Sequence, residues 1–189
     1  MRVISGTAKS LKLKTVEGMD TRPTQDRIKE TLFNMISSDV GGTSFLDLFS
    51  GSGGIGIEAL SRGASEAVFV EKNRQAMACI EDNLKHTHLA DKARMMCQDA
   101  VSAVRMLDGE GKMFDFIFMD PPYGKELEKD VLLELERTGL YDENTVIIVE
   151  SDLDTGFDYL EGTKLEVYRT KKYKTNKHTF IWKVLEEEA

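Results

Sequence analysis

From residue 43 onward, apolar strand patterns alternate with helical patterns, and the connections between them are short. The first patterns predict a strand at 44–49, a helix at 55–62, a strand at 66–71 and a helix at 74–86. The alternation continues with a strand at 93–97, a helix at 100–107, a strand at 114–119, a helix that starts at 127 and stops near 139, and a strand at 146–150. A chain that repeats strand, helix and strand in this way folds into a parallel sheet covered by helices.

Both ends of the chain depart from this rhythm. Apolar patterns at 164–170 and 179–185 are joined by a polar segment too short for a helical crossover, which predicts an antiparallel hairpin on the sheet edge. Residues 2–16 read as two short strands, and a helix follows with Thr24 as its N-cap. We therefore predict an α/β fold with a mostly parallel seven-stranded sheet. Residues 1–40 would form a hairpin-and-helix extension and residues 41–189 the main domain.

Composition limits the classes of protein that this chain can belong to. With 189 residues, 41% hydrophobic and 31% charged, it can form one substantial core and is not a disordered chain. No apolar stretch reaches membrane-spanning length and residues 1–6 show no signal-peptide pattern, so we expect a cytoplasmic protein without a membrane partner. The three histidines and two cysteines lack the spacing of metal ligands, so no metal site is expected and the histidines, His178 among them, are predicted to lie at the surface.

Charge is distributed unevenly along the chain. The net charge is -8, and residues 41–162 carry 11 basic and 24 acidic side chains, whereas residues 163–185 carry 7 basic and 1 acidic. Tyrosines interleave with the basic residues at 168–174, a composition that suits a polyanion with exposed bases. A solvated charged surface explains the same residues, so both interpretations stay open at this point.

A glycine-rich segment follows the first predicted strand of the main domain. Gly51, Gly53 and Gly56 have the G-x-G-x-x-G spacing between a strand and a helix, and Glu71 ends the next strand 20 positions after Gly51. Such a loop binds a nucleoside cofactor, and the acid accepts hydrogen bonds from ribose hydroxyls. A tight turn that merely needs glycine is the simpler alternative.

Asp47 bears on which nucleoside binds. A carboxylate at the mouth of this loop would repel a pyrophosphate, whereas S-adenosylmethionine carries a sulfonium and an ammonium that it would attract. Asp99 follows the third strand, where it can accept the adenine amino group or simply face solvent. The residues Asp47, Glu71, Asp99 and Asp120 end four successive predicted strands, which is hard to explain as solubilising charge.

The tetrapeptide Asp120-Pro121-Pro122-Tyr123 comes directly after the strand at 114–119. It places a carboxylate, a rigid backbone and an aromatic ring at the end of a strand, where open α/β sheets bind ligands. These groups suit a flat base that carries an amine, because the acid can accept from the amine and the ring can stack. Proline is also a common turn former, so a turn without catalytic function is the alternative.

Three motifs together resemble class I S-adenosylmethionine-dependent methyltransferases that act on exocyclic amines. They are D-L-F-S-G-S-G at 47–53, V-E-K-N at 70–73 and D-P-P-Y at 120–123. The N-terminal R-V-I-S-G at 2–6, T-R-P-T-Q-D-R at 21–27 and E-T-L-F-N at 30–34 resemble, more narrowly, bacterial 16S ribosomal RNA guanine-N2 methyltransferases of the RsmD type. The resemblance covers nearly the whole chain. One departure is Tyr173-Lys174, where such enzymes often have Tyr-Gly.

The resemblance implies a Rossmann-like methyltransferase fold and methyl transfer from S-adenosylmethionine to the N2 amine of a guanine. The implied substrate is 16S ribosomal RNA in an assembled or assembling small subunit, and the implied enzyme is a monomer. The catalytic positions are Asp120, Pro121, Pro122 and Tyr123. The cofactor positions are Asp47, Phe49, Gly51, Ser52, Gly53, Glu71, Lys72, Asn73, Asp99 and Ala100. The candidates for RNA contact are Arg2, Arg22, Arg27, Lys171, Lys172 and Lys174.

Three other functions compete with this hypothesis. A DNA adenine or cytosine amine methyltransferase faces the same chemical problem, but it usually needs a recognition region for which this chain has no residues left. A nicotinamide-dependent oxidoreductase fits the glycine loop but neither Asp47 nor the D-P-P-Y segment. A non-catalytic RNA-binding module would leave the cofactor loop unexplained.

Overall fold

The computed structural model describes residues 1–16, 26–36 and 39–184. The chain divides into two compact units, Met1–Asp99 and Ala100–Ala189. The N-terminal residues belong to the first unit, and the predicted domain boundary after residue 40 stays a prediction. None of the helices in the described ranges is long and apolar enough to cross a membrane.

Seven strands and five α-helices lie in the described parts of the chain. The helices are α1 (Asp26–Ile36), α2 (Gly54–Ser61), α3 (Arg74–Thr87), α4 (Ala100–Gly109) and α5 (Leu127–Leu135). The strands are β1 (Ser44–Leu48), β2 (Glu66–Val70), β3 (Ala93–Met96), β4 (Phe116–Met119), β5 (Val146–Asp152), β6 (Leu165–Lys172) and β7 (Asn176–Lys183). Most predicted boundaries of the main-domain elements fall within two residues of these. The exceptions are α5, which ends at Leu135 rather than near residue 139, and β7, which begins at Asn176 rather than at residue 179.

The strands form a seven-stranded sheet in the order β3-β2-β1-β4-β5-β7-β6. In the first unit, β1 pairs in parallel with β2, and β2 with β3. In the second unit, β4 pairs in parallel with β5, whereas β7 is antiparallel to both β5 and β6. The predicted α/β fold class, with its mostly parallel sheet and C-terminal antiparallel hairpin, is confirmed. Strands β1, β2, β4 and β5 are almost entirely buried, as strands with helices on both faces are.

The predicted N-terminal strand pair is present only as a short antiparallel pairing, in which the Val3 N–H donates to the Leu11 carbonyl at 2.9 Å and the Leu13 N–H to the Met1 carbonyl at 3.1 Å. Residues 1–16 contain one isolated antiparallel bridge, between Arg2 and Lys12, instead of two strands. The pairing does not extend further because the backbone N–H groups of Ile4 and Ser5 donate to the carboxylate of Glu58, at 2.8 and 3.0 Å. The predicted N-cap Thr24 lies outside the described residues.

Glu58 also belongs to a buried charge cluster that ties α1 to α2 within the first unit. Its carboxylate lies 3.2 Å from the Lys29 ammonium and 2.8 Å from Arg62 Nε, and the side chains of Lys29 and Glu58 are fully buried. The Lys29 ammonium donates a further hydrogen bond to the carbonyl of Arg2. Burial lowers the pKa of Lys29, and the charge of Glu58 opposes this effect. The carboxylate thus holds the N-terminal segment and two helices together.

Candidate active site

The glycine-rich loop connects β1 to α2. Gly51 and Gly53 adopt left-handed backbone conformations, with φ of 56° and 80°, and the Gly53 N–H donates to the Ser50 carbonyl at 2.7 Å. Gly56 is required for a different reason, since a Cβ there would lie 2.4 Å from Cε1 of Phe69. The loop therefore needs glycine both for its conformation and for the packing of α2 against β2.

Asp47 lies beneath this loop rather than at its mouth, which corrects its predicted placement. The side chain is 1% exposed, and its Oδ2 accepts a hydrogen bond from the backbone N–H of Gly56 at 3.0 Å. Burial raises its pKa to about 7, with a smaller increase from the charge of Glu71, while the Gly56 N–H acts in the opposite direction. The carboxylate thus anchors the first turn of α2, where the positive end of the helix dipole lies.

Glu71 follows β2 and links the glycine loop to α3. Its Oε2 accepts from the Gly51 N–H at 3.0 Å, and its Oε1 accepts from the Asn73 N–H at 2.7 Å. A carboxylate has about four acceptor positions, so capacity remains for the hydroxyls of a ribose. The sequence predicted the acceptor role of Glu71 but not that the same side chain would hold the loop.

The other predicted cofactor positions of the first unit surround these two acids. Asn73 caps α3, because its Oδ1 accepts from the N–H groups of Gln75 and Ala76 at 2.8 and 3.1 Å. The Ser52 carbonyl accepts from the Asn83 side chain at 3.0 Å, so α3 also supports the loop. Phe49 has φ of 61°, an unusual conformation for a bulky residue and one that often marks functional loops.

Lys72 and Asp99 are exposed, the latter just beyond β3, so both side chains reach solvent. Ala100 is buried and begins α4, the first element of the second unit. Gly51 faces open space, since a Cβ built there would have nothing within 4 Å. The outer face of the loop can therefore be approached closely by a ligand.

The D-P-P-Y segment follows β4 in the second unit. Asp120 is half-buried, Pro121 is buried, and Pro122 and Tyr123 are exposed, Tyr123 by 41% of its surface. Gly124 follows in a left-handed conformation with φ of 71° and turns the chain toward α5. The segment thus presents a carboxylate and an accessible aromatic ring in one short loop.

A buried polar network borders this loop and was missed by the sequence reasoning. His178 is fully buried, although its sequence context indicated a surface histidine, and its Nε2 lies 3.0 Å from Glu150 Oε2. The other ring nitrogen is 3.1 Å from the Tyr173 hydroxyl, and Asn176 Nδ2 donates to Glu150 Oε1 at 2.6 Å. A signal was available, because His178 alternates along the strand with the apolar Phe180.

The charges and hydrogen-bonding groups of this network affect the Tyr123 hydroxyl. Burial of its hydroxyl raises the pKa of Tyr123, and the charges of Glu150 and Asp120 raise it further, while Asn176 has the opposite effect. Three carboxylates, those of Asp120, Glu150 and Asp152, contribute negative potential at the hydroxyl. A neutral tyrosine in a negative environment is suited to stacking on a base on which positive charge develops.

The candidates for RNA contact fall in different surroundings. Arg2 forms an ion pair with Asp26 at 3.1 Å, Arg27 is exposed on α1, and Arg22 lies outside the described residues. Arg2, Lys9 and Arg27 line a cavity of about 430 Å³ together with Asp26 and Glu30, so the two acids offset part of the basic charge there. Lys171, Lys172 and Lys174 are exposed at the end of β6 and in the turn that follows.

Lys174 stands where the family resemblance led us to expect a glycine, and the turn accommodates it. The turn is closed by the Tyr173 N–H, which donates to the Asn176 carbonyl at 2.8 Å. The backbone φ of Lys174 is not positive, so this position does not need glycine. Within the described ranges, no three His, Cys, Asp or Glu side chains cluster as metal ligands would.

Relatives of this chain are named as ribosomal RNA methyltransferases. Escherichia coli ribosomal RNA small subunit methyltransferase D is 35% identical over 156 residues, which are 82% of this chain and 77% of that protein. Bacillus subtilis YlbH is 41% identical over 172 residues, covering 89% of this chain and 94% of that protein.

Solved structures of other proteins have a similar fold. The Thermus thermophilus protein TTHA0928 superposes with a TM-score of 0.82 at 27% identity, and the match covers 97% of this chain and 99% of that one. The structure of SMU.776 in complex with SAH shares the fold, with a TM-score of 0.66 at 16% identity over 82% of this chain and 49% of that one. The family model described as Conserved hypothetical protein 95 matches residues 1–182, and the chain therefore belongs to that family.

Proposed function

We propose that this protein transfers a methyl group from S-adenosylmethionine to the exocyclic N2 amine of a guanine in the RNA of the small ribosomal subunit. The observation that carries the proposal is the loop after β4, where a half-buried Asp120 and an exposed Tyr123 ring stand together. Membership of a family that includes the Escherichia coli small subunit methyltransferase D supports it.

The guanine amine is a poor nucleophile because its lone pair is delocalised into the ring, so the site must localise that pair. The carboxylate of Asp120 and the carbonyl of Pro121 would accept the two amine hydrogens and orient the lone pair out of the base plane. The same acceptors stabilise the positive charge that develops on nitrogen. Asp120 is also the candidate to hold the proton that the amine loses.

Tyr123 would bind the base itself. Its ring is 41% exposed and can stack on a purine, a contact worth roughly 1–3 kcal/mol. A guanine within a helix must be flipped out or presented unpaired to reach such a ring, because a stacked amine is out of reach. Pro121 and Pro122 limit the movement of the backbone that carries the acceptors.

S-adenosylmethionine, when bound, supplies a methyl group activated by its sulfonium. The residues of the first unit fit this cofactor: Glu71 retains acceptor capacity for ribose hydroxyls, and Gly51 leaves the outer face of the loop open. The carboxylate of Asp99 would accept the adenine amino group. Asp47, buried under the loop, would act through the conformation of the loop.

The proposed substrate particle is an assembled or assembling small subunit, and the proposed active form is a monomer. The single-stranded bases that the site needs are presented by folded ribosomal RNA at defined positions. The basic residues at the end of β6 support phosphate contacts, although the net charge of the whole chain is -8.

Asp120→Ala tests this function. The variant should lose transfer of labelled methyl from S-adenosylmethionine to small subunits prepared from a strain that lacks the enzyme, while it keeps nearly normal affinity for the cofactor by calorimetry. Asp154→Ala, at an exposed acid of the same unit, is the matched control and should retain transfer. Substantial turnover by folded Asp120→Ala would refute the role of this carboxylate.

Scanning fluorimetry separates the cofactor from its rivals. S-adenosylmethionine and its demethylated product should raise the melting temperature of the wild-type protein, because they bind the folded state, whereas NAD should leave it unchanged. Mass spectrometry of the methylated RNA fragments then identifies the base. N6-methyladenine or N4-methylcytosine in place of N2-methylguanine would contradict the proposed acceptor.

A further inference from the structure

Trp182 is the only tryptophan of the chain, and it lies on the surface of the second unit. It stands near the end of β7 with 45% of its surface exposed. The ring of Tyr168, 38% exposed on the neighbouring strand β6, stacks against it with a centroid distance of 4.4 Å and an interplanar angle of 23°. Large aromatic residues are usually more buried than this, so the exposed pair calls for an explanation.

One ring of the pair packs on a buried aromatic residue. Tyr168 packs edge-on against the buried Phe180, with ring centroids 6.2 Å apart, and the Arg169 guanidinium lies 5.9 Å from the same Phe180 ring. The strand register shifts between Val167 and Arg169, so a β-bulge sets the orientation of Tyr168. Because the two rings are already in place, a flat ligand can bind without ordering them first.

The charge around the pair indicates the kind of ligand. Residues 163–184 contain one acid, Glu166, and seven basic residues, in a chain whose net charge is -8. Lys177 is buried and donates to the carbonyls of Leu153 and Thr155, so it is engaged in the fold. Of the remaining basic residues, Lys164, Arg169 and Lys183 lie at the end of the hairpin that carries the pair, where Glu166 is the strand partner of Trp182. Lys171, Lys172 and Lys174 lie toward the turn at the other end, along the path that a bound strand would follow.

We infer that Tyr168 and Trp182 form a stacking platform for an unpaired base of the RNA, flanked by basic residues that contact its phosphates. Aromatic rings between basic side chains are how proteins bind single-stranded nucleic acid without reading its sequence. This inference rests on the proposed RNA substrate and adds a second point of attachment for it. A second copy of the chain is disfavoured as the occupant, because two hairpins of like charge repel each other.

The platform is separate from the D-P-P-Y loop. Asn176, which influences the Tyr123 hydroxyl, lies six positions before Trp182 on β7, roughly 20 Å away at the rise of an extended strand. The base that stacks on the platform is therefore a different one from the base that is methylated. Binding at two points raises affinity for folded RNA and fixes its orientation.

The single tryptophan makes the platform directly observable. Titration of the wild-type protein with an oligoadenylate RNA of about 12 nucleotides should quench the emission of Trp182, because a stacked base is in contact with the indole. A duplex RNA of the same length should quench it much less. Emission that stays constant while a fluorescein-labelled copy of the oligonucleotide shows binding by anisotropy would overturn the inference.

Four variants complete the test. Trp182→Ala and Tyr168→Ala should each weaken binding of the labelled oligonucleotide by a factor between about 5 and 150, the range that one stacked base contributes. Trp182→Phe retains a ring and should bind nearly as well as the wild type. Met106→Ala, at a residue 48% exposed on α4, is the matched control and should bind normally. Wild-type affinity in folded Trp182→Ala, checked by its melting curve, would refute the platform.

Two further results separate the possible failures. Sedimentation that shows a concentration-dependent dimer, lost in Trp182→Ala, would assign the pair to self-association and overturn the inference. Methyl transfer by the wild type to small subunits reports on the proposed function independently. Transfer without quenching of Trp182 would leave that function standing and reject the platform, whereas absence of both RNA binding and transfer would reject both.

Discussion

Replacing Asp47 by asparagine should change how the stability of the protein depends on pH. In the unfolded chain this carboxyl has its ordinary pKa of 3.8, and burial beneath the glycine loop raises it to about 7 in the folded protein. The folded state therefore binds the proton more tightly. The resulting stabilisation is fully present below the unfolded pKa and is lost as the pH rises through the folded pKa.

The expected magnitude follows from these two values. A rise from 3.8 to about 7 corresponds to roughly 4 kcal/mol in total, of which roughly 2.5 kcal/mol is lost between pH 5 and pH 8. An asparagine keeps the shape of the side chain, and its carbonyl can accept from the Gly56 N–H as Asp47 Oδ2 does. Asp47→Asn should therefore gain roughly 2.5 kcal/mol on the wild type between pH 5 and pH 8, or roughly 5–10 °C in melting temperature.

Urea denaturation of both proteins at pH 5, 6, 7 and 8 measures this difference directly. All other titrating groups are shared, so subtraction of the two curves isolates the contribution of Asp47. Asp91→Asn, at an exposed acid of the same unit, is the control and should follow the wild type. A difference between Asp47→Asn and the wild type that is the same at every pH would refute the account of a buried carboxyl that is protonated near neutrality.

The other predictions concern the supports of the candidate site, each measured by urea denaturation. Gly56→Ala places a Cβ 2.4 Å from the Phe69 ring and should cost about 1–3 kcal/mol, whereas Gly109→Ala, with nothing within 4 Å, should be nearly neutral; equal stability of the two would contradict the packing role. Glu58→Gln leaves the buried Lys29 ammonium without its counter-charge and should lower the free energy of unfolding by about 3–5 kcal/mol. Adding Lys29→Met should recover part of this loss, whereas additive losses would show that the two groups do not interact. Asn73→Ala removes the cap of α3 and should cost about 1 kcal/mol, a loss that Asn73→Asp should not show.

The order of strands and helices could be predicted because it depends on local periodicity and short connections. The buried strands β4 and β5 are uninterrupted apolar runs, and the pattern of α3 has a start signal in Asn73. The N-terminal strand pair is shorter than predicted, for a reason that local pattern cannot reveal. Residues 2–16 alternate as strands do, but a carboxylate more than 50 positions away accepts the N–H groups of Ile4 and Ser5.

Buried polar side chains are a second feature that was not predicted. Lys29, Glu58 and His178 are polar residue types that usually face solvent, and for His178 we predicted a surface position. Each is fully buried because it has a specific partner from a distant segment: Glu58 for Lys29, and Glu150 for His178. Periodicity can place such a residue on a buried face, as the alternation with Phe180 does for His178, but it does not identify the partner. The candidate site was therefore predicted in its glycines and acids but not in the network behind Tyr123.

The two acids nearest the glycine loop show why their substitution alone cannot assign the cofactor site. Glu71 accepts from the N–H groups of Gly51 and Asn73, so Glu71→Gln would set an amide donor against one of those N–H groups and disturb the loop before any ligand binds. Weaker cofactor binding by such a variant would follow from a displaced loop as well as from a lost ribose contact. Lys72 offers a cleaner comparison, because its side chain is exposed and carries none of these loop contacts. The affinity for S-adenosylmethionine should therefore be compared between Lys72→Ala and Glu71→Gln at equal folded fraction. This comparison separates the effect of a lost contact with the cofactor from the effect of a displaced loop.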